Sequence, residues 1–410
     1  MTGGRRCTTM PAMEQLRTLR AEELRAAIAD VELAFGGAPH ELDTALDLSV
    51  LDPARCLGVL EDGHAVATAA SFAFSMTVPG AVLPVAGVTW VSVAPTHRRR
   101  GLLTSTMTRL LADLRVEGTA VAALWATEGA IYQRFGFGPA AWHTAFELPA
   151  RAPFGREVDT SGLRLVEAAG SLLATSYDEV AARTPGWWVR NDAWWGHRLH
   201  DPEHRRDGAS PLRCVVDGTD GYALYATKGS WGDAGPDGTV FVREVVARTP
   251  DASARLWRYL LDQDLMKTVR AWGRPGDEPL LHLLAEPRSA RTRISDGLWV
   301  RLVSVPDALA GRRYACPVDV VLEVDDDRCP WNAGRWRLVG GPDGATCTRT
   351  DEDADLVMGV RELGAVYLGG TSLTARSRAG WVRELVPGAL ATATTAFGWP
   401  GPAPSSPMVF

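Results

Sequence analysis

Apolar residues along this chain alternate in short blocks with runs that keep helical spacing, the texture of a mixed α/β protein. Residues 12–36, rich in Ala, Glu and Arg, read as a helix stopped by Gly36-Gly37. Short strands follow over 56–60, 65–78 and 87–93, separated by the turns Glu61-Asp-Gly-His64 and Pro79-Gly80. Beyond Gly101, Leu103, Met107, Leu110, Leu111 and Leu114 line one helical face, and Gly118 is placed to stop it. A strand over 121–126, a short helix over 128–135 and a last strand over 142–148 complete the unit.

Residues 149–159 are polar and proline-bearing, which marks a boundary. The same theme then recurs: a helix over 171–183, strands over 212–216, 222–228 and 240–247, and a helix over 252–265. The turn Arg248-Thr-Pro-Asp-Ala-Ser-Ala254 falls where the first unit has Arg98-Arg-Arg-Gly101, but it lacks the glycine and the arginine run and carries Asp251. From about Arg301 the texture changes again, with strands over 318–324 and 335–339 and helices over 361–368 and 381–390. The expected division is 1–150, 151–300 and 301–410, the second unit being a degenerate copy of the first. The proline-rich end, Gly398 to Phe410, reads on composition as a frayed tail.

At 410 residues the chain is too long for one ordinary core. A formal net charge of −6 argues against a nucleic-acid partner, which needs a basic face. Six scattered cysteines lack the paired spacing of zinc sites or small disulfide frameworks, so reduced, structural thiols are expected. No apolar run follows the N-terminal arginines, and none approaches a membrane span. A cytoplasmic protein without a membrane partner is the expectation.

The stretch Val91 to Thr104 carries candidate chemistry. An alternating strand breaks at Pro95, passes three arginines and Gly101, and enters a helix; such a turn offers backbone N–H groups, a helix dipole and cations to a pyrophosphate. Arg98-Arg-Arg-Gly101-Leu-Leu103 approaches the coenzyme A pattern of the GNAT acetyltransferase superfamily, and Ala126-Thr-Glu-Gly-Ala-Ile-Tyr132 matches its element near the acetyl group. With Thr77-Val-Pro-Gly80, Leu83-Pro84, Asp296-Gly-Leu-Trp299, Val366-Tyr-Leu-Gly369 and a final phenylalanine, the chain resembles the Eis (enhanced intracellular survival) family over most of its length.

That resemblance implies a catalytic GNAT domain, a degenerate GNAT-like domain and a sterol-carrier-protein-like domain, a homo-hexamer, and acetyl-CoA as co-substrate. Val91, Ser92 and Val93 are implied to pair their backbone with the pantetheine amides, and Arg99, Arg100, Gly101, Leu102, Leu103 and Thr104 to cradle the pyrophosphate. Leu103 departs from the superfamily's small residue, a departure the family shares. Thr127 and Glu128 are implied to lie near the thioester. Tyr132 corresponds to the general acid, and a phenol is a suitable donor to a thiolate. The family's general base is its C-terminal carboxylate, here that of Phe410; a free α-carboxylate is weakly basic and needs burial or a water relay. Family members often place an acidic residue before it, where this chain has Val409.

The implied reaction is direct acetylation of a multi-amine small molecule such as an aminoglycoside, in a ternary complex. Two alternatives stand beside it: acetylation of protein lysines, and a non-catalytic acyl-CoA or lipid-binding module. No metal is expected. His197, His200 and His204 could share a helix face, but Asp201-Pro202 interrupts it, and Glu323 to Asp327 lacks the glycine of a calcium loop.

Overall fold

The computed structural model describes residues 15–410; Cys7 and residues 12–14 of the expected first helix lie outside them. The described chain forms two compact units, 15–72 with 88–112, and 73–87 with 113–410.

In the first unit the expected long helix is shorter, Leu24–Ala34, preceded by strand Arg17–Thr18 and a 3-10 turn whose Glu23 is gripped by Arg17 at 2.8 Å. A second helix, Glu41–Val50, had no sequence signal: of its ten residues only Thr44 is buried, so it lacks an apolar stripe. Strands Arg17–Thr18, Cys56–Glu61 and His64–Val78 pair antiparallel. His64–Val78 and Ala81–Val93 are single continuous strands that run on into the second unit.

The second unit holds strands of three larger sheets and the two-stranded pair Trp231–Gly232 with Gly235–Pro236. Its portion of Ala81–Val93 pairs parallel with Val121–Trp125 over Val85 to Gly87, and Val121–Trp125 then pairs antiparallel with Leu298–Leu302, which continues to Gly138–Pro139. The next sheet has seven strands in the order Arg293–Asp296, Trp142–Pro149, Met266–Pro275, Gly238–Ala247, Gly221–Lys228, Arg213–Asp217, Arg164–Val166. One strand is therefore placed differently from the sequence reading, and another, which that reading did not name, takes its position. Trp142–Pro149, expected to complete the first repeat, lies in the sheet of the second, while Leu298–Leu302 crosses back to pair with Val121–Trp125.

Period-two alternation explains how this sheet carries a layer on each face. Val215, Ala223 and Tyr225 pack with Leu256, Trp257 and Leu260 of helix Pro250–Leu261. Their neighbours Cys214, Val216, Tyr222 and Leu224 pack with Leu173 and Tyr177 of helix Gly170–Ala181.

The degenerate turn has a physical signature. Thr249 Oγ1 accepts from the Ala252 N–H at 3.1 Å, Pro250 has no N–H to offer, and Asp251 sets a carboxylate, paired with Arg156 at 3.0 Å, at the helix start. The cap and the Asp251 carboxylate both work against a phosphate at this helix start.

The C-terminal sheet runs Ala345–Arg349, Gly334–Gly340, Val318–Asp325, Leu356–Gly359, Val382–Glu384. The helix expected over 381–390 is instead the strand Val382–Glu384, and the helix begins later, at Ala389–Phe397. Pro387 and Gly388, the latter at φ +95°, break the chain there, and Glu384 Oε1 accepts from the Gly388 and Leu390 N–H groups at 2.9 Å. Buried Arg301 of strand Leu298–Leu302 donates to Asp326 at 2.7 and 2.9 Å, tying that strand to the C-terminal sheet.

Among the described residues no helix is long and apolar enough to cross a membrane. The five described cysteines are free thiols, and burial pushes Cys56, Cys214 and Cys347 up to about 12, as expected of structural residues.

Candidate active site

In the first unit, the end of strand Ala81–Val93 is fixed by a hydroxyl pair. Thr68 Oγ1 donates to the Trp90 carbonyl at 2.6 Å and so receives the hydroxyl of Ser92, 2.8 Å away. Trp90 stands at φ +51°, a local kink in the strand. The side chain of Ser92 is thereby committed to the unit's interior, and Val91 and Val93 flank it half-buried.

After the 3-10 turn Pro95–His97, Arg99 at φ +65° and Gly101 at φ +83° turn the chain into helix Leu102–Glu117. Ser105 is the first residue whose N–H bonds back within the helix, to the Gly101 carbonyl at 3.0 Å. The N–H groups of Leu102, Leu103 and Thr104 precede any such partner. Arg98, Arg99 and Arg100 are exposed around this turn, Arg100 reaching back to the Thr96 carbonyl at 3.2 Å. A Cβ built on Gly101 meets nothing within 4 Å, so the approach to the turn is open. Exposed guanidinia, unpaired first-turn N–H groups and an unobstructed glycine fit a pyrophosphate.

In the second unit, strand Val121–Trp125 leads to exposed Thr127 and Glu128, and Glu128 precedes the short helix Gly129–Gln133. Tyr132 points inward from that helix, with 6% of its surface exposed and its ring edge-on to Phe137 at 6.2 Å. Burial raises its phenol above the ordinary tyrosine value; a hydrogen bond from Thr127 works against the shift, and the Glu128 charge adds to it. The group is a protonated acid throughout the neutral range.

The C-terminal residues are bound along their length rather than frayed. The Ala403 N–H donates to Asp277 at 2.8 Å, the Ser405 N–H to the Pro185 carbonyl at 3.1 Å, and Trp187 Nε1 to Ser405 Oγ at 2.9 Å. The Met408 carbonyl accepts from Trp125 Nε1 and from Ser406 Oγ, each at 2.9 Å. Phe410 then sets its ring edge-on between Phe74, at 5.1 Å, and Trp188, at 4.9 Å. A Cβ added to Gly87 would lie 3.0 Å from the Phe410 ring and 2.3 Å from Phe74. Gly87 also pairs with Ala123 of Val121–Trp125. The chain end is thus seated beside paired residues of these two strands, held by Trp125 from the strand that leads to Tyr132.

Sequence reasoning singled out the turn and Tyr132 but not the residues around the chain end: Gly87, Phe74, Trp125 and Trp188. The only trace of this seat in the sequence is the tryptophan pair Trp187-Trp188, which reads equally well as packing. The three histidines are divided among a helix ending at Leu199, its extended cap His200 and a separate 3-10 turn Glu203–Arg205, so they do not share a helix face.

Comparison with known proteins defines the class. Models of an acetyltransferase (GNAT) domain match residues 15–140 and 186–302, and one of a sterol carrier protein domain matches 305–407. The chain is a tandem GNAT acetyltransferase with a sterol-carrier-like third domain. An uncharacterized N-acetyltransferase of Streptomyces coelicolor is 45% identical over 399 residues, covering 93% of this chain and 96% of the relative. N-acetyltransferase Eis of Mycobacterium tuberculosis is 39% identical over 310 residues, covering 72% and 73%. The crystal structure of Eis1 from Mycobacterium abscessus superposes with a TM-score of 0.84 at 34% identity, covering 97% of this chain and all of that one. A GCN5-related N-acetyltransferase of Anabaena variabilis shares the fold at 18% identity, with a TM-score of 0.82 over 97% of this chain and all of that one. The chain belongs to the Eis family of GNAT N-acetyltransferases. Its reaction is transfer of an acetyl group from acetyl-CoA to an amine.

Proposed function

We propose that the acceptors are multi-amine small molecules, aminoglycosides among them, acetylated directly in a ternary complex. Acetyl-CoA supplies the thioester carbonyl that the amine attacks. Val91, Ser92 and Val93 bind the pantetheine arm through their backbone; Arg99, Arg100, Gly101, Leu102, Leu103 and Thr104 hold the pyrophosphate; Thr127 and Glu128 border the thioester end. Tyr132 donates its phenolic proton to the departing thiolate. The Phe410 carboxylate accepts the proton that the acceptor ammonium must lose, directly or through water.

The observation that carries this reading is the seating of the chain end: an aromatic clamp of Phe74 and Trp188 and an indole N–H on the Met408 carbonyl fix Phe410. On this reading residues 1–150 are the catalytic domain, 151–300 the degenerate copy and 301–410 the carrier-like domain that delivers the base. The working form is a cytoplasmic homo-hexamer.

Incubation with acetyl-CoA and a panel of aminoglycosides, polyamines and lysine peptides, followed by thiol release, tests the acceptor class. Turnover with small polyamines and aminoglycosides is expected; turnover with peptides alone overturns it. Two residues appended after Phe410 should abolish activity while leaving acetyl-CoA binding intact, and full activity of that variant removes the carboxylate from its role.

A further inference from the structure

The second GNAT-like domain contains a cavity of about 1070 Å³, bounded by the ends of strands Gly238–Ala247 and Met266–Pro275, by the start of helix Pro250–Leu261 and by the segment from Pro402 to Val409. Its size suits a small organic ligand. The self-capped, carboxylate-bearing start of that helix works against a phosphate there, so whatever the cavity holds is recognised by other groups.

The charges around it are unevenly committed. Seven arginines and four carboxylates border the cavity. All four carboxylates are engaged by protein donors: Glu244 by Arg190 and Tyr222, Glu278 by Trp257 and Arg274, Asp277 by the Ala403 N–H, and Asp201 by Arg206. Two of the arginines, by contrast, have no carboxylate among the described residues. Arg183 rests one nitrogen on the Arg248 carbonyl at 2.9 Å, and Arg243, exposed, makes no ion pair. Trp272 borders the same space with 54% of its surface exposed, its ring 5.6 Å from that of Trp125.

A cation entering this cavity finds three of the four carboxylates already paired with arginines, and Asp277 bound by the Ala403 N–H that anchors the C-terminal segment. An anion with a flat body finds two uncommitted guanidinia and an indole face. We propose that the cavity is a second binding site, selective for an aromatic organic anion, whose charge is met by Arg183 and Arg243 and whose ring stacks on Trp272. The amine acceptors of the transfer reaction are excluded from it by sign of charge.

Fluorescence titration of the full-length protein with anilinonaphthalene sulfonate, a flat aromatic sulfonate, tests this in the presence of saturating acetyl-CoA, which removes the cofactor turn from competition. One saturable site is expected, and the double variant Arg183→Ala with Arg243→Ala should bind at least about tenfold more weakly. The corresponding double lysine variant should recover part of the loss, and Trp272→Ala should weaken binding independently. A cationic aromatic dye of the same size should not bind. Equal affinity in the double alanine variant, no saturable binding by the native chain, or tighter binding of the cationic dye overturns the proposal. Because the readout is binding, these outcomes are separate from whether Phe410 or Tyr132 performs the roles given above.

Discussion

Tyr132 carries the clearest residue-level test. Removing its hydroxyl in Tyr132→Phe deletes the proton donor while keeping the ring in its packing against Phe137, so kcat should fall about a hundredfold or more with little change in the KM for acetyl-CoA. The pH profile has a definite sign. An acid works while protonated, and burial raises this phenol above its ordinary value of 10.0, so no loss of kcat from its ionisation is expected below about pH 10. A Tyr132-dependent decline below that pH, seen by comparison with the phenylalanine variant, would contradict the role. Gly87→Ala tests the seat from the other side: the new methyl meets Phe74 and Phe410 ring atoms at 2.3 and 3.0 Å, an overpacking worth roughly 1–3 kcal/mol, and should cut kcat through displacement of Phe410. Of these residues Tyr132 was legible because its motif is local in sequence. Gly87 was not, because what makes it necessary is a ring contributed from the far end of the chain.

At the scale of elements, the bound segment from Ala403 to Phe410 is the feature that composition misreads. Prolines and serines predict fraying, yet polar groups of Ala403, Ser405 and Met408 meet specific partners: Asp277, Pro185, Trp187, Trp125. Trp125→Phe removes the indole N–H from the Met408 carbonyl, a hydrogen bond worth about 1 kcal/mol, and should lower kcat roughly fivefold. The same variant should release Phe410 faster to a carboxypeptidase; unchanged rates in both assays would remove Trp125 from the seat. Elements whose cues are local were legible: the strand, arginine turn and helix from Val91 to Thr104 appear as read, with Gly118 at φ +83° closing the helix. Elements whose state depends on partners were not. Val382–Glu384 is a strand because Leu356–Gly359 offers it an edge, and no pattern within 381–390 announces that.

For the whole molecule, the buried network of Arg190, Glu244 and Tyr222 is a main point of electrostatic commitment. Burial alone would raise Glu244, but the charges of Arg190 and Arg198 and the hydrogen bonds from Arg190 and Tyr222 prevail and hold it down to about 2, against 4.5 unperturbed. Its folded value is depressed, so its contribution to stability is full above about pH 4.5 and fades as pH falls toward 2. Urea unfolding across that window should show stability falling with acidity. Arg190→Ala, which leaves the buried carboxylate only Arg198 and the Tyr222 hydroxyl, should cost about 3 kcal/mol at neutral pH and weaken the acid dependence. The tandem architecture itself was readable from the repeated pattern of strands and helices. Which strand belongs to which sheet was not, because nothing within Trp142–Pro149 or Leu298–Leu302 names its partner and only tertiary pairing assigns them.

The pairing of Leu298–Leu302 with Val121–Trp125 has a consequence for the order of events during synthesis. Val121–Trp125 keeps a bare edge on the side that Leu298–Leu302 will cover, and the covering strand lies about 180 residues further along the message. A growing chain emerging from the ribosome cannot complete the sheet behind Tyr132 when its first repeat has been made; it must hold that edge open while the entire second repeat is translated. Severing the coding sequence after the first repeat should therefore yield an insoluble fragment rather than a small independent acetyltransferase, and co-expression of the remainder should rescue it only if Leu298–Leu302 arrives intact.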